Sequence, residues 1–381
     1  MVRKQIQNTA DKGWDFPEPI HPGEHLEDFL LDTGLSQAEL AERVGLTKKA
    51  VNEIIKGKNP ITDNTAFRLS KIFAVSPEFW MNLQNDYDAK VARQEEVARL
   101  AHEAERHLPN FRETYKELVR LGAVKKLTWN KNNLIEITRS LQSFFLVGSL
   151  VYVEEKTMNF AFRKYDRSNL NPYTLAAWVQ LGKRKATKTK VEPFDKAQLR
   201  ARLTEIKKLS QKPWQEYVVK LEAVLAECGV VLVYAPKMKN SFAQGATHWI
   251  DSDTVLLMLN TYNQDEGKFW FNLFHELGHI LLHGKKNVYI DFENGERSQE
   301  EEQADAFANK WLTPHIEKLD VNELVGDEKE IASTVNTLAK KNDVSPAIIA
   351  GRLTHEHRDD IDGIYSLMNP FLKERIQYTN L

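Results

Sequence analysis

Cysteine and long apolar runs are scarce in this sequence. Cys228 is the single cysteine among 381 residues, so no internal disulfide can form, which is usual in a reducing compartment. The longest apolar run, LQSFFLVGSLVYV at residues 141–153, is interrupted by polar residues and is too short to cross a bilayer. The first residues, MVRKQIQNTADKGWDF, lack the apolar centre of a secretion signal. We therefore expect a cytoplasmic protein that does not enter a membrane.

A strong overall charge is also lacking, because the formal net charge is −2 at pH 7. Bulk charge therefore gives no argument for a nucleic-acid partner. From Thr47 to Lys71, however, six Lys or Arg oppose two Asp or Glu, which leaves +4. Residues 183–212 contain eleven Lys or Arg and three Asp or Glu, which gives a net charge of +8. This second stretch has two possible interpretations, a solvated charged face or a further contact with nucleic acid.

The length of the chain predicts two or three domains rather than one core. Hydrophobic residues make up 42% of the chain and charged residues 28%, as in soluble globular proteins. Helical patterns dominate residues 1–90, a linker or regulatory region at 91–213 and a tail at 316–381. Residues 214–315 mix helices with three strands. The sequence therefore predicts an α+β fold that is mostly α.

Residues 36–57 contain the signals of two short helices joined by a turn. Ser36 and Glu39 form a capping box at the start of the first helix. Gly45 follows as the turn residue, and Thr47 caps the second helix. This order is typical of a helix-turn-helix, in which helix N termini and lysines contact phosphates and the second helix contacts bases.

The second of these helices is amphipathic. Val51, Ile54 and Ile55 lie toward one side as core, and polar side chains lie toward the other. The alternative is a small helical bundle whose charged face is merely solvated. Polar side chains at the two helix starts and along the second helix are candidate DNA contacts: Gln37, Thr47, Lys48, Lys49, Asn52 and Lys56.

From Trp214 the pattern becomes helix, three strands, helix, helix. WQEYVVKLEAVLAECG predicts an amphipathic helix, and VVLVYAP, FAQGATHWI and TVLLMLN predict strands. The next two helices are FNLFHELGHILLH and SQEEEQADAFANKWLTP. The tail EKEIASTVNTLAKKNDVSPAIIAGRLTHE predicts two more.

The first of these two helices contains the pattern of a metal site. His275 and His279 are four residues apart, so both imidazoles lie on one helical face and converge on one ion. Glu276, beside the first histidine, is placed to take a proton from a water molecule, as in zinc peptidases. Gly278 leaves room for a backbone or a substrate near the metal. The alternative is a surface triplet without a metal.

A catalytic zinc ion usually has three protein ligands, so a third ligand is needed. The second helix offers Glu301, while Asp305, one turn on, would accept a hydrogen bond from a ligating histidine. Glu300 and Glu302 compete for the ligand role but point about 100° away around the helix. We expect Zn²⁺ on His275, His279 and Glu301. We expect His283 to contact a ligand side chain rather than the metal, or to be structural. Three further residues are possible oxyanion stabilisers, none of them assigned: His248, Tyr289 and His315.

FHELGHILLHG, EEEQADAFANKWLTP and the strands before them resemble the ImmA/IrrE family of metallopeptidases over roughly residues 215–350. The resemblance implies a minimal zincin fold and the cleavage of transcriptional repressors. It also implies that His275, His279 and Glu301 are the zinc ligands and that Glu276 is the general base. The final WLTP differs from the small aliphatic pair that members often have before this proline.

Residues 21–88 resemble the HigA-type antitoxins from HPGEHLEDFLLDTG through SQAELAERVGLTKKAVNEIIKGK to SPEFWMNLQNDYD. The resemblance implies a phage-repressor-like helix-turn-helix that binds palindromic operators as a homodimer. Such antitoxins are usually little longer than this segment. About 290 residues follow it here, so the chain departs from a plain antitoxin.

Two hypotheses follow for the whole chain. In the first, a DNA-binding regulator is joined to a zinc endopeptidase that cleaves a repressor, an antitoxin or itself. In the second, an antitoxin-like autorepressor binds a toxin partner, and its metal site is structural or vestigial. Glu276 favours the first hypothesis, because a structural metal site needs no base.

Overall fold

The computed structural model describes residues 19–156, 170–260, 264–283, 289–292, 298–316, 328–357, 364–373, 375–376 and 378–379. The chain forms two compact units, residues 1–105 and 106–381. The second unit includes most of the segment predicted as a linker together with the two segments after it. The finer four-part division of the chain stays a prediction.

Short capped helices build the first unit. They are α1 (Pro22–Thr33), α2 (Gln37–Val44), α3 (Lys48–Ile55), α4 (Asp63–Phe73) and the long α5 (Pro77–Arg106). The predicted capping box is confirmed, because the Ser36 hydroxyl accepts from the Glu39 N–H and the Glu39 carboxylate accepts from the Ser36 N–H. Gly45 has a φ of 61°, in the left-handed region, and ends α2 as predicted.

Helix α3 is fixed at its start and along one face. The Thr47 hydroxyl caps it by accepting from the Ala50 N–H at 3.1 Å, as predicted. The predicted core side is also confirmed, because Val51, Ile54 and Ile55 are buried in one cluster. The other buried members of that cluster are Leu26, Leu30, Leu40, Ala41, Val44, Ile61, Ala66, Leu69, Phe73 and Trp80.

An arginine ties the turn between α2 and α3 to α4. The Arg68 guanidinium donates from Nη1 to the carbonyl of Val44 at 2.7 Å and to that of Gly45 at 3.1 Å. These carbonyls belong to the last turn of α2 and have no helical partner. Sequence patterns gave no sign of this contact, because it joins residues more than twenty apart.

Helices again dominate the second unit before its sheet. They are α6 (Arg112–Arg120), α7 (Leu134–Phe145), α8 (Pro172–Ala186), α9 (Lys196–Lys208) and α10 (Trp214–Glu227). Within the basic stretch 183–212, residues 183–186 belong to α8 and residues 196–208 form α9. No described helix is by itself long and apolar enough to cross a membrane, but one bent pair, Lys131–Phe145 and Leu150–Lys156, passes on length and composition alone.

A small sheet lies at the centre of this unit. Its strands are β1 (Val230–Ala235), β2 (Ala243–Trp249), β3 (Val255–Asn260) and β5 (Tyr289–Phe292), in the order β1-β3-β2-β5. β1 and β3 are parallel, and the other pairs are antiparallel. The three predicted strands are confirmed, whereas β5 was not predicted. A separate two-stranded pair joins β4 (Gln264–Asp265) to β6 (Arg375–Ile376).

The remaining helices complete the unit and confirm the predicted α+β, mostly α class. They are α11 (Glu266–Leu282), α12 (Gln299–Leu312), α13 (Glu328–Asn342), α14 (Pro346–Glu356) and α15 (Ile364–Leu372). Every residue of α11 from Leu273 to Leu281 is buried. A helix that is covered on all sides in this way is held rigidly, which suits a helix that bears a reactive site.

Candidate metal centre

The central helix α11 positions two histidines inside the second unit. Its N terminus is capped by Asp265, whose carboxylate accepts from the Lys268 N–H at 2.9 Å. One face packs on β2, and the opposite side packs on α12 and α14. His275 and His279, one turn apart, are both buried. Their rings approach within 4.7 Å between centroids, so one small ion can reach both.

A close helix crossing brings a carboxylate to these histidines. A Cβ atom at Gly278 would lie 3.2 Å from Cα of Ala304 and 3.3 Å from Cβ of Phe307, both on α12. The room that the sequence predicted at Gly278 is therefore occupied by the α12 backbone. Three residues before Ala304, α12 presents Glu301 to the histidines.

The three predicted ligand side chains converge. Nε2 of His275 lies 3.0 Å from Nε2 of His279 and 3.1 Å from Oε2 of Glu301, and Nε2 of His279 lies 3.5 Å from that oxygen. Ligand atoms about 2.0 Å from a tetrahedral zinc ion are roughly 3.3 Å apart. Two imidazole nitrogens and one carboxylate oxygen at these separations fit zinc in both chemistry and size.

Asp305 contacts the far side of His275. Its Oδ1 lies 2.8 Å from Nδ1 of His275, so with Nε2 toward the cluster the Nδ1–H donates to the carboxylate. This contact fixes the ring and its tautomer and makes Nε2 a better ligand. Asp305 has the position that its spacing from Glu301 predicted.

His283 acts on the other histidine. Its Nδ1 lies 2.9 Å from Nδ1 of His279, and its Nε2 lies 3.1 Å from Oε1 of Gln303. His279 Nδ1–H therefore donates to His283, and His283 Nε2–H donates to the Gln303 amide oxygen. Each imidazole of the cluster thus has a hydrogen-bond acceptor behind it. Gln303 was missed by the sequence analysis because an amide on a polar helix face gives no distinctive pattern.

Charge and burial shape the acid–base state of the cluster. Burial raises the pKa of Glu301, but hydrogen bonds with the rings of His275 and His279 outweigh burial and hold this pKa well below its usual range. Burial lowers the pKa of His279 despite the opposing hydrogen bond with Glu301. An ionised carboxylate and a neutral imidazole are the forms that bind a metal ion.

Glu276 directly follows His275 in α11 and is fully buried against strand β2. Its Oε2 accepts a 2.6 Å hydrogen bond from the Thr247 hydroxyl. Its Oε1 lies where a Cβ atom on Gly245 would be only 2.3 Å away. The carboxylate is therefore held against the sheet by two residues that the sequence analysis did not single out.

The other candidates from the sequence lie elsewhere. Among the described residues, the His–His–carboxylate group consists of His275, His279 and Glu301 and does not include the competing glutamates on α12, Glu300 and Glu302. His248 follows Thr247 on β2, so its side chain lies on the opposite face of the sheet from Glu276. His315 is exposed, and the side chain of Tyr289 lies outside the described residues.

The predicted DNA-contacting residues lie on and around α3. Thr47, Lys48, Lys49 and Lys56 are exposed. Gln37 and Asn52 are half-buried. The exposed Lys49 ammonium lies 3.8 Å from the carboxylate of the half-buried Glu53, a weak ion pair that costs little to separate.

Family models match both units of the chain. A model described as helix-turn-helix matches residues 26–80, and one described as IrrE N-terminal-like domain, a peptidase family, matches residues 227–354. The chain joins a HigA-like helix-turn-helix domain to an IrrE-like peptidase domain. The resemblances predicted from the motifs are confirmed by these matches.

The HigA-like domain is similar to several curated proteins. Virulence-associated protein I of Dichelobacter nodosus is 40% identical over 77 residues, 20% of this chain and 71% of that protein. Antitoxin HigA-1 of Vibrio cholerae is 34% identical over 71 residues, 18% and 67% of the two chains. The solved Pseudomonas aeruginosa antitoxin HigA with higBA promoter is 36% identical, covers 22% of this chain and 94% of that chain, and has a TM-score of 0.21.

The IrrE-like domain contains the whole candidate metal centre. Its matched residues include α11 with His275 and His279, α12 with Glu301 and Asp305, and β2 with Thr247. The HigA-like domain contains the helix-turn-helix pair α2 and α3. The two family matches thus lie in separate compact units of one chain.

Proposed function

We propose that the IrrE-like domain is a zinc-dependent endopeptidase and that the HigA-like domain brings it to operator DNA. The observation that supports this most strongly is Glu276, a buried carboxylate that directly follows His275 of the cluster His275, His279 and Glu301. A structural metal site needs no such carboxylate, whereas hydrolysis of a peptide bond needs a base.

Each side chain of the centre has a separate task in this proposal. His275, His279 and Glu301 hold the ion, while Asp305 and His283 orient the two imidazole rings. A zinc ion held there supplies Lewis-acid chemistry, which lowers the pKa of water and polarises a carbonyl group. Glu276 accepts the proton of the attacking water and returns it to the amine that leaves.

Glu276→Gln tests the peptidase proposal. We expect this variant to bind zinc with the parent's stoichiometry and to cleave peptides roughly 10²–10⁴-fold more slowly, because the amide cannot accept the proton. The zinc-loaded full chain is incubated with a peptide library prepared from a proteome, and new peptide ends are identified by mass spectrometry.

Glu302→Gln is the matched control, because Glu302 is exposed and lies outside the ligand cluster on α12. It should cleave like the parent. Equal cleavage by the parent and by Glu276→Gln would refute the proposed base, and a parent that cleaves nothing would refute the peptidase.

We also propose that α3 contacts DNA through Lys48, Lys49, Asn52 and Lys56, with Gln37 and Thr47 at phosphates. The exposure of the lysines and of the α3 N terminus supports this arrangement. The first 90 residues have eleven Lys or Arg and fourteen Asp or Glu, so one copy offers few net positive charges to DNA. A homodimer, in which two copies of α3 contact two half-sites, offsets this weakness.

Lys48→Ala and Asn52→Ala separate the two kinds of DNA contact. Lys48→Ala should reduce the slope of log affinity against log salt by about one, because one phosphate contact is lost. Asn52→Ala should instead weaken binding to one sequence more than to others. The probe is the DNA directly upstream of the protein's own gene. Lys126→Ala, at an exposed lysine of the second unit, is the control. Unchanged binding in both variants would refute the assignment of α3.

The pairing of the two domains favours a DNA-bound regulator as the substrate: a repressor, an antitoxin or the chain itself. A peptidase tethered to an operator meets proteins bound at the same DNA at a high effective concentration. We propose on the same ground that the protein acts in the cytoplasm, where that DNA lies. Cleavage of a DNA-bound regulator would convert peptidase activity into a change in transcription.

A further inference from the structure

Two residues of β2 form the wall against which the Glu276 carboxylate lies. Thr247 donates its hydroxyl proton to Oε2 of Glu276 at 2.6 Å, and both side chains are almost completely buried. A bond of this length lies at the short end of the range for O–H···O hydrogen bonds in proteins. It is strong because little water is present to compete for the carboxylate.

Gly245 provides the space for the same carboxylate. A Cβ atom there would lie 2.3 Å from Oε1 and 3.0 Å from both Cδ and Cγ of Glu276, so even alanine would displace the group. Gly245 and Thr247 are two residues apart and therefore project toward the same face of the sheet. The intervening Ala246 pairs with Met258 of β3 and lies toward α8, because Met258 contacts Gly182 of α8.

We propose that Gly245 and Thr247 are positioning residues that fix the orientation of the Glu276 carboxylate beside the metal centre. Thr247 fixes the rotation of the carboxylate group by donating a hydrogen bond to Oε2. Gly245 has no side chain, so Oε1 can lie directly against the backbone of β2. This inference rests on the proposed role of Glu276 as the base. Sequence patterns did not single out either residue, because FAQGATHWI has the signal of an ordinary strand.

The alternative is that the Thr247 hydroxyl merely satisfies a buried carboxylate and adds to stability without affecting catalysis. The two possibilities differ in what a conservative substitution restores. Thr247→Ser keeps the hydroxyl and loses a methyl group, whereas Thr247→Val keeps the shape and loses the hydroxyl. A role in stability alone would leave kcat of Thr247→Val at the parent's value, whereas a positioning role would lower kcat in Thr247→Val and recover it in Thr247→Ser.

The kinetic test uses the zinc-loaded full chain and a quenched fluorescent peptide built from the sequence most often cleaved in the library experiment. Thr247→Val should lower kcat roughly 10- to 100-fold with little change in KM, because the hydrogen bond to the charged base is lost. Thr247→Ser should recover to within about threefold of the parent. Gly245→Ala should also lower kcat while zinc stoichiometry stays at the parent's value.

Thr174→Val is the matched control. Thr174 is buried in the same unit on α8, and its hydroxyl lies 3.1 Å from that of Thr114 rather than at Glu276. It should keep the parent's kcat. Parental kcat in Thr247→Val, or equal loss in Thr247→Ser and Thr247→Val, would overturn the positioning role.

A second measurement tests the contact between Thr247 and Glu276 and needs neither bound metal nor peptidase activity. Melting temperatures are compared for the metal-free parent, Thr247→Val, Glu276→Ala and the double variant. If the two side chains are coupled as the structure indicates, the double variant should lose less than the sum of the two single losses. Additive losses would overturn the proposal even if the parent proves to be an active peptidase. Coupling in a chain that cleaves nothing would instead refute the proposed function and leave the contact established.

Discussion

At the scale of single residues, Asp305 acts on the proposed metal site through His275. Its carboxylate lies 2.8 Å from Nδ1 of that ring, on the side away from the ligand cluster. We expect Asp305→Ala to weaken zinc binding about 10- to 100-fold, because the ring loses its fixed orientation and some of its basicity. Competition with a chromophoric chelator measures this change.

Glu302→Ala provides the comparison on the same helix. Glu302 is exposed and lies outside the ligand cluster, so its removal should leave zinc affinity within about twofold. A larger effect at Glu302 than at Asp305 would mean that α12 supplies the metal with a different carboxylate.

His248 gives a pH dependence that is independent of the metal centre. Burial, assisted by the charge of Lys183, lowers its pKa to about 4. The unfolded chain binds this proton near the ordinary value of about 6.5. The contribution of His248 to stability is therefore fully present above pH 6.5 and is lost as the pH falls toward 4.

Urea unfolding at pH 7.5, 6.0 and 5.0 tests this expectation. The free energy of unfolding of His248→Gln should fall less steeply with decreasing pH than that of the parent. His355→Gln, at an exposed histidine of α14, is the comparison. Identical slopes for His248→Gln and the parent would contradict the buried neutral imidazole.

At the scale of elements, small residues let α11 approach its neighbours. A Cβ atom at Gly267 would lie 2.5 Å from the carbonyl oxygen of Ala347 and 3.1 Å from Cα of Gly351, both on α14. Gly278 has the equivalent role toward α12. The position of the histidines thus depends on two glycine-mediated helix crossings.

Gly267→Ala should therefore destabilise the second unit by about 1–3 kcal/mol, because α11 and α14 must separate to admit a methyl group. Thermal unfolding followed by circular dichroism measures the loss. Gly148→Ala is the control, because a Cβ atom there has no neighbour within 4 Å among the described residues. Equal melting temperatures for the two variants would contradict the close crossing.

Elements with local signals were predicted from sequence more accurately than those that depend on distant partners. The capping box at Ser36 and Glu39 and the left-handed Gly45 involve neighbours in sequence, so their pattern is visible in one short stretch. Strand β5 pairs with β2 about forty residues away, and its residues contain no alternation long enough to predict it.

At the scale of the whole molecule, two units with separate hydrophobic cores carry the two proposed activities. One core contains Leu40, Val51 and Trp80, and the other contains residues such as Trp270 and Phe274 around α11. A ligand that binds only the folded form of one unit stabilises that unit.

Metal removal should therefore affect the second unit selectively. We expect a chelator to increase hydrogen exchange in peptides from residues 264–283 and 298–312, because the bridge between α11 and α12 is lost. Peptides from residues 37–55 should exchange as before. Mass spectrometry of the zinc-loaded and chelated full chain measures both sets. If the chelator changes exchange equally in all three segments, or in none of them, the result argues against a bound metal between α11 and α12.

The sequence by itself determined the helix-turn-helix caps, the helical spacing of His275 and His279, and the spacing of Glu301 from Asp305. These features are local, because each involves residues that lie only three or four positions apart along one helix. Tertiary structure alone decided that α12 crosses α11 at Gly278, so that Glu301 approaches both histidines. It also decided that Gly245 and Thr247 enclose Glu276, because contacts between a strand and a distant helix follow from packing and leave no periodic pattern in the chain.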